Sequence, residues 1–271
     1  MNKIVFVVDD SITNLTRAAE ALRGHYTVMT FSSGAKIAAP LEKIKPDIIL
    51  LDIEMPDMDG FAVLKFLKNH EKHKTIPVIF LTAHTDAETE AKGLEMGVSD
   101  FISKPFNDAV LLNRIRHHID IKEIIAERTA QVDKTNQGII FILADLVESR
   151  DASTGAHIQQ TGRLVELLLK SMDTNKIYYD EISKWDFNVI AESSVLHDVG
   201  KAKIPDAILK KPGKLTAEEY QAMQAHAIYG AEIIEQMINR GGENERLRNA
   251  KIFAVSHHEK WNGRGYPYGL K

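Results

Sequence analysis

Residues 193–206, SSVLHDVGKAKIPD, set His197 against Asp198 at the end of an apolar run, with Gly200 and Lys201 close behind. A histidine beside an aspartate is, taken alone, an ordinary hydrogen-bonded pair near a helix end. This pair has company: His157, His226, His257 and His258 lie in the same half of the chain. The chain has 11 histidines and no cysteine, so a transition metal would be held by imidazole and carboxylate rather than thiolate. The first half carries a different set, Asp9, Asp10, Asp52, Thr82 and Lys104. Three carboxylates brought into one crevice repel one another unless a hard cation such as Mg²⁺ joins them. Asp52 can then attack a phosphoryl group to give an acyl phosphate, with Mg²⁺ and Lys104 neutralising the oxygens and Thr82 bonding the new group.

These residues need elements to position them. Up to about residue 120, short apolar runs (IVFVV, YTVMTF, DIILLD, PVIFLT and DFISK) alternate with helical patterns, the rhythm of a parallel sheet with helices on both faces. In that architecture the carboxyl ends of the strands line one crevice. Asp9 and Asp10 close the first strand, Asp52 the third, Thr82 the fourth and Lys104 the fifth. Beyond about residue 135 the rhythm gives way to amphipathic segments of helical length, GIIFILADLVESRD, HIQQTGRLVELLLKSM, FNVIAESSVLHDVG, TAEEYQAMQAHAIYGAEIIEQMI and LRNAKIFAVSHHEKW, which predict an all-α domain. Thr216 and Glu219 have the spacing of a capping box. The histidines and Asp198 fall on or near the ends of five of these helices, and a bundle can gather such side chains into one site. Between the halves, apolar residues at Leu111, Leu112, Ile115, Ile119, Ile125 and Val132 continue a helical pattern without a Pro, Gly or Ser tract, so the joint reads as stiff and helical. His117 and His118 on it read as solvated or interface residues.

The remaining bounds are broad. A chain of 271 residues accommodates two ordinary domains. A hydrophobic fraction of 44%, a charged fraction of 27% and a formal net charge of -4 are those of a globular protein and give no sign of DNA binding. The start, MNKIVFVVDD, is too short in its apolar run for a signal peptide or a membrane span, so a cytoplasmic location without membrane attachment is expected.

The first half, with its Lys104-Pro105 step and the turn Met55-Pro56-Asp57-Met58-Asp59-Gly60, resembles the receiver domain of two-component response regulators. The resemblance implies a flavodoxin-like five-stranded fold, phosphorylation at Asp52, Mg²⁺ at Asp9, Asp10 and Asp52, a switch formed by Thr82, Phe101 and Lys104, and a cognate sensor histidine kinase. The second half resembles the HD-GYP family of cyclic dinucleotide phosphodiesterases, on Arg150-Asp151, Thr154 and His157, then His197-Asp198-x-Gly200-Lys201 with Ile204-Pro205, then His226, His257-His258-Glu259 and Asn262-Gly263-Arg264-Gly265-Tyr266-Pro267. The resemblance implies a di-metal centre held by His157, His197, Asp198, His226, His257 and His258, with iron or manganese the usual ions. Asp198 would offer two oxygens to two ions while His197 supplies a nitrogen to one, and such a pair activates water and clamps a phosphate. Asp198 and Lys201 are the expected catalytic residues, Lys201 stabilising phosphate charge. Arg264, Gly265, Tyr266 and Pro267 are the expected substrate-binding loop, in which Arg264 can pair a phosphate and Tyr266 or Trp261 can stack a base.

Two departures bear on activity. Ser153 stands where some family members carry a glutamate for a third metal, which favours two ions. The family also draws a metal-binding aspartate from a helix downstream of the GYP segment, and no residue here can be assigned to it. The chain is therefore expected to be C-terminally incomplete and weak in turnover.

The resulting expectation is a receiver at 1–120, a helical connector at 121–137 and an HD-GYP domain at 138–271. The expected function is phosphorylation-controlled hydrolysis of cyclic di-GMP to pGpG or GMP. The alternative is a phosphorylation-controlled interaction module that binds a partner or the dinucleotide without turnover. A diguanylate cyclase or another protein, and a second copy of the chain, are further candidate partners.

Overall fold

The computed structural model describes residues 3–83, 87–150 and 156–271, the side chains of residues 156 and 157 excepted. It divides into two compact units, 1–129 and 130–271.

In the first unit the apolar runs become β1 (Ile4–Val8), β2 (Thr27–Phe31), β3 (Ile48–Asp52), β4 (Val78–Thr82) and β5 (Asp100–Ser103). They form a parallel sheet of order β2-β1-β3-β4-β5. Between them run α1 (Ile12–Leu22), α2 (Ala38–Leu41), α3 (Gly60–Asn69) and α4 (Ala87–Glu95), and α5 (Asp108–Glu148) follows β5. β3 and β4 are buried along their whole length, as strands covered on both faces must be. One face of the sheet packs Phe6, Leu51, Phe80 and Leu64, and the other packs Val7, Leu50, Leu81 and Ile115. Helix starts are fixed by capping oxygens: Ser11 accepts from the Asn14 N–H at 3.4 Å and Asp59 from the Ala62 N–H at 2.7 Å.

The expected connector and residues 138–148 of the following segment form one helix with the last receiver helix. α5 begins under Asn107, whose Oδ1 accepts from the N–H of Ala109 and Val110, and continues unbroken to Glu148. Its first turns bury Leu111, Ile115 and Ile119 in the first unit, and its last turns bury Ala144 in the second. Residues 123–136 between them are exposed on every side. His118, read from the sequence as a solvated or interface residue, lies 3.1 Å from Asp100 Oδ2, which also pairs Arg114 at 2.6 Å. Burial works against the Asp100 charge, but these two partners outweigh it and hold the carboxyl below its ordinary range.

The second unit is helical, as expected, with α6 (Ala156–Thr174), α7 (Tyr179–Ile182), α8 (Phe187–Ser194), α9 (Asp206–Leu209), α10 (Ala217–Gln224), α11 (His226–Gly241) and α12 (Glu245–Ser256). Two expected helices divide. The segment FNVIAESSVLHDVG is helical only to Ser194, so His197 and Asp198 sit in the turn that leads into a 3₁₀ helix, Val199–Lys203. The segment TAEEYQAMQAHAIYGAEIIEQMI breaks at Ala225, between α10 and α11. The Thr216–Glu219 capping box is present, with both reciprocal bonds made. Among the described residues no helix is long and apolar enough to cross a membrane.

Candidate functional site

The residues singled out by the sequence gather into one cluster in each unit. In the first, the strand ends deliver Asp9 and Asp52 into a buried crevice, with Asp10 exposed beside them, and one oxygen from each lies within 4.8 Å of the others. Lys104 reaches across them, its Nζ 2.8 Å from Asp9 Oδ2 and 2.6 Å from Asp52 Oδ1. It is held there by the step after β5, where the Lys104 N–H donates to the Thr82 carbonyl at 2.7 Å. Asp9 is further fixed by the Ser11 N–H and the Asn14 side-chain amide. Burial, reinforced by the Asp9 charge, raises the Asp52 carboxyl above its ordinary range against the pull of Lys104 and the Glu54 N–H. An all-oxygen trio short of positive charge fits a hard divalent cation.

The loop after β3 is shaped around Asp52. A Cβ on Gly60 would lie 2.4 Å from the Asp52 carbonyl oxygen, so this position needs glycine. Thr82 is buried at the end of β4. Phe101 is half-buried against the core, its ring 5.7 Å from Phe80, the inward placement of that side chain.

In the second unit Asp198 stands at the centre. Its Oδ1 lies 3.3 Å from His226 Nε2 and 3.5 Å from His257 Nε2, and its Oδ2 lies 3.2 Å from His197 Nε2 and 3.0 Å from Lys201 Nζ. The two oxygens thus face different sets of side chains. Each of three histidines turns its other nitrogen to a main-chain carbonyl: His197 Nδ1 to Ser194 at 2.9 Å, His226 Nδ1 to Met223 at 2.7 Å, and His257 Nδ1 to Phe253 at 3.0 Å. A carbonyl can only accept, so Nδ1 carries the hydrogen and the neutral ring presents its lone pair at Nε2, the orientation that a metal ligand requires. His226 Nε2 and His257 Nε2 face one another at 3.2 Å, a spacing that calls for a cation or a proton between them. Asp198 Oδ1 is itself buried without a hydrogen-bond partner.

His258 completes a group in which one donor each from Asp198, His226, His257 and His258 lies within 4.8 Å of the rest. Burial, with the neighbouring His257 and His226, lowers the His258 imidazole to about 4, and burial lowers His226 as well. Burial opposes charge on His197, but the Asp198 carboxylate outweighs it and raises that ring. Burial likewise opposes ionisation of Asp198, and His197, His257 and Lys201 overcome it to hold the carboxyl far below its usual range. The donor set and its tautomers fit transition-metal ions. The His157 side chain lies outside the described residues, as do Ser153 and Thr154.

The chain is similar to known proteins in both halves. Residues 5–116 match the family described as response regulator receiver domain, and residues 142–271 match the family described as HD domain. A Thermotoga maritima protein named cyclic di-GMP phosphodiesterase is 30% identical, over 99% of this chain and 74% of its own. The chain belongs to the response regulators that join a receiver domain to an HD domain. A Vibrio cholerae protein named probable cyclic di-GMP phosphodiesterase is 35% identical, over 98% of this chain and 64% of its own length. The cyclic di-GMP phosphodiesterase response regulator RpfG of Xanthomonas campestris is 28% identical, over 98% of this chain and 71% of its own. This response regulator therefore spans about two-thirds of the length of the V. cholerae relative. Receiver and HD domains are generally metal-dependent, and a receiver implies a phosphodonor upstream.

In this receiver–HD protein the loop Asn262–Pro267 lies against the histidine cluster. Tyr266 stacks on His258 with ring centroids 4.5 Å apart, so one face of its ring is already occupied by the histidine cluster. Arg264 is exposed, and Trp261 is 89% exposed. The close packing of Gly265 on the Glu259 backbone, where a Cβ would lie 2.4 Å from Glu259 Cα, brings the loop back over His258.

Several residues whose roles sequence reasoning did not assign hold this arrangement. Glu259 accepts from the N–H groups of Tyr268, Gly269 and Leu270, fastening the segment after the loop. Arg150 donates to the carbonyls of Ala202 at 2.9 Å and Ile204 at 3.3 Å and pairs with Asp206 at 2.5 Å, clamping the turn that carries Lys201. Gly200 lets that turn touch α11: a Cβ there would lie 1.9 Å from the His226 carbonyl oxygen. Glu148, at the end of α5, is buried, and its charge acts on His197. The sequence signal for Arg150 and Gly200 was their place inside the quoted motifs. No local pattern marks Glu148, whose burial is set by tertiary packing.

Proposed function

We propose that this response regulator hydrolyses a phosphodiester bond of cyclic di-GMP at the Asp198 centre, under control of phosphorylation at Asp52. The observation that carries the reading is the convergence of His226 Nε2, His257 Nε2 and the unbonded Asp198 Oδ1 on one point, with each of those two Nδ1 atoms committed to a carbonyl. His197, Asp198, His226, His257 and His258, with His157 from the start of α6, would hold two ions, iron or manganese. Bound metals would supply Lewis acidity at the scissile phosphate and at its leaving oxygen. Asp198 Oδ2 orients His197 and Lys201, and its unbonded Oδ1 is left to take part in holding metal. Lys201, beside Asp198 Oδ2, is placed to offset charge that develops on the phosphate. Arg264 and the loop at Gly265, Tyr266 and Pro267 would contact substrate, Arg264 through a phosphate and Tyr266 by bracing His258.

In the receiver, Asp52 would accept the phosphoryl group from a cognate histidine kinase, with Mg²⁺ at Asp9, Asp10 and Asp52 and with Lys104, Thr82 and Phe101 answering the new charge. The exposed stretch of α5 supports a connector at 121–137 between a receiver at 1–120 and an HD-GYP domain at 138–271. Ile124, Ile125, Val132, Ile139, Ile142 and Leu146, all exposed on α5, support self-association along it, and a diguanylate cyclase is a further candidate partner. The reading carries with it a cytoplasmic location, where the phosphodonor would be met. The experiment is hydrolysis of cyclic di-GMP by manganese- or iron-loaded protein, with linear product measured by chromatography. Wild type should produce pGpG or GMP and Asp198→Ala none. Bound metal and bound dinucleotide without product would instead identify an interaction module.

A further inference from the structure

The receiver unit holds a third cluster of ligating side chains, which shares no residue with its acidic crevice. α3 ends at Asn69, and His70 caps it, its N–H donating to the Leu67 carbonyl at 3.3 Å. The chain then turns tightly: the N–H groups of His73 and Lys74 both donate to the His70 carbonyl at 2.9 Å. A spacing of three residues within one turn brings the two rings to the same side, with centroids 4.3 Å apart. Glu42, the residue that ends α2, extends towards them, its Oε1 4.0 Å from His70 Nε2.

The hydrogen-bond bookkeeping of this cluster does not close. His73 is only 3% exposed, yet neither of its ring nitrogens has a hydrogen-bond partner, and His70 Nδ1 is buried without one. A buried polar atom left unsatisfied forfeits its hydration without a replacement. The carboxylate–histidine centre around Asp198 contains one such orphan at its focus, Asp198 Oδ1, and this cluster contains three. One donor atom each from Glu42, His70 and His73 lies within 4.8 Å of the other two.

We propose that Glu42, His70 and His73 form a binding site for a divalent transition-metal ion of the zinc class on the receiver unit. Two imidazoles and one carboxylate are the donors of Zn²⁺, Ni²⁺, Co²⁺ and Cu²⁺ sites, and are too nitrogen-rich for Mg²⁺. The ligands come from the ends of two helices and the turn after the second, so an ion would tie α2 to the end of α3. The Glu42 side is exposed, which gives the ion a way in and leaves room for water to complete its coordination. The site is independent of the proposed hydrolysis at Asp198.

The test is equilibrium dialysis of the full, chelator-stripped chain against Zn²⁺ with Mg²⁺ in excess to occupy the carboxylate crevice. Tightly bound zinc is counted in wild type, His70→Ala, Glu42→Gln and His257→Ala. His70→Ala should hold one zinc equivalent fewer than wild type, and Glu42→Gln should hold that equivalent more weakly. His257→Ala should lose zinc from the other unit and keep the equivalent that His70→Ala loses. Because His73 is buried and its replacement endangers folding, the variants are placed on the two more exposed ligands. Equal zinc in wild type, His70→Ala and Glu42→Gln would overturn the site, whatever the outcome at His257.

Discussion

The two principal centres of this protein solve the same problem, gathering ionised groups away from bulk water, by different means. In the receiver, Asp9 and Asp52 come from the ends of adjacent strands, and Lys104 already lies between them at 2.8 and 2.6 Å. The sheet does the positioning, and the charge of the crevice is partly neutralised before any cation arrives. In the HD unit the donors come from a turn and from helix ends, and main-chain carbonyls set the aim of His197, His226 and His257. Lys201 attends only one Asp198 oxygen, and the other remains unbonded. The difference teaches that an oxygen site can be tuned by a neighbouring cation, whereas an imidazole site is tuned by which nitrogen carries the hydrogen.

That contrast can be broken most forcefully by crossing two variants. Asp198→Ala should strip metal from the histidine centre and abolish turnover while acetyl phosphate still labels the receiver. Asp52→Asn should abolish the labelling and leave the metal content of the histidine centre unchanged. Elemental analysis and phosphoryl labelling of both proteins decide it, and loss of both properties in either variant would show that the centres are not chemically separate.

A smaller effect is expected at Lys201. Lys201→Ala should lower kcat by roughly a hundredfold, the magnitude typical of removing one electrostatic stabiliser of a developing charge. Metal content should not change, since Lys201 offers an ammonium and not a lone pair. Arg150→Ala should cost less, about tenfold in rate, because it loosens the turn that aims Lys201 without touching substrate. Arg150→Lys, which restores the charge but not the fork that reaches two carbonyls, should recover only part of the rate.

The fold was legible where one local period decided it. Strands with buried residues throughout, such as β3 and β4, and the Thr216–Glu219 cap follow from short stretches of sequence. The carboxylates of the receiver were equally readable, because a parallel sheet sends strand ends to one side. Helix continuity was legible only in part: the apolar pattern through Ile125 and Val132 marked a helical joint, but not that α5 would run on to Glu148, nor that α11 would start anew at His226 after a break at Ala225. The aim of each histidine was also hidden, since the carbonyls of Ser194, Met223 and Phe253 carry no side-chain signature. The contact of Tyr266 with His258 was hidden for a related reason: the two become neighbours only when Gly265 folds the loop back.

The smallest expected effect concerns the receiver end of α5. Asp100 is held below its ordinary value of 3.8 by Arg114 and His118, against the opposing cost of burial. A carboxyl depressed in the folded state adds stability above its unfolded pKa and loses it as pH falls through the folded value. Because the pair with Arg114 is largely exposed, the contribution is about 0.5 kcal/mol or less. Urea unfolding of wild type and Asp100→Asn should differ slightly at pH 7, and the gap should close as pH falls below 3.8.

The claim that joins the two units is that chemistry at Asp52 governs chemistry at Asp198. It is tested most directly by the rate of linear product formation from cyclic di-GMP, measured on metal-loaded protein with and without acetyl phosphate, in wild type and in Asp52→Asn. The account predicts that acetyl phosphate changes the wild-type rate and leaves the Asp52→Asn rate where it was. A wild-type rate indifferent to acetyl phosphate under conditions where Asp52 is labelled, or an equal change in the Asp52→Asn protein, would contradict it.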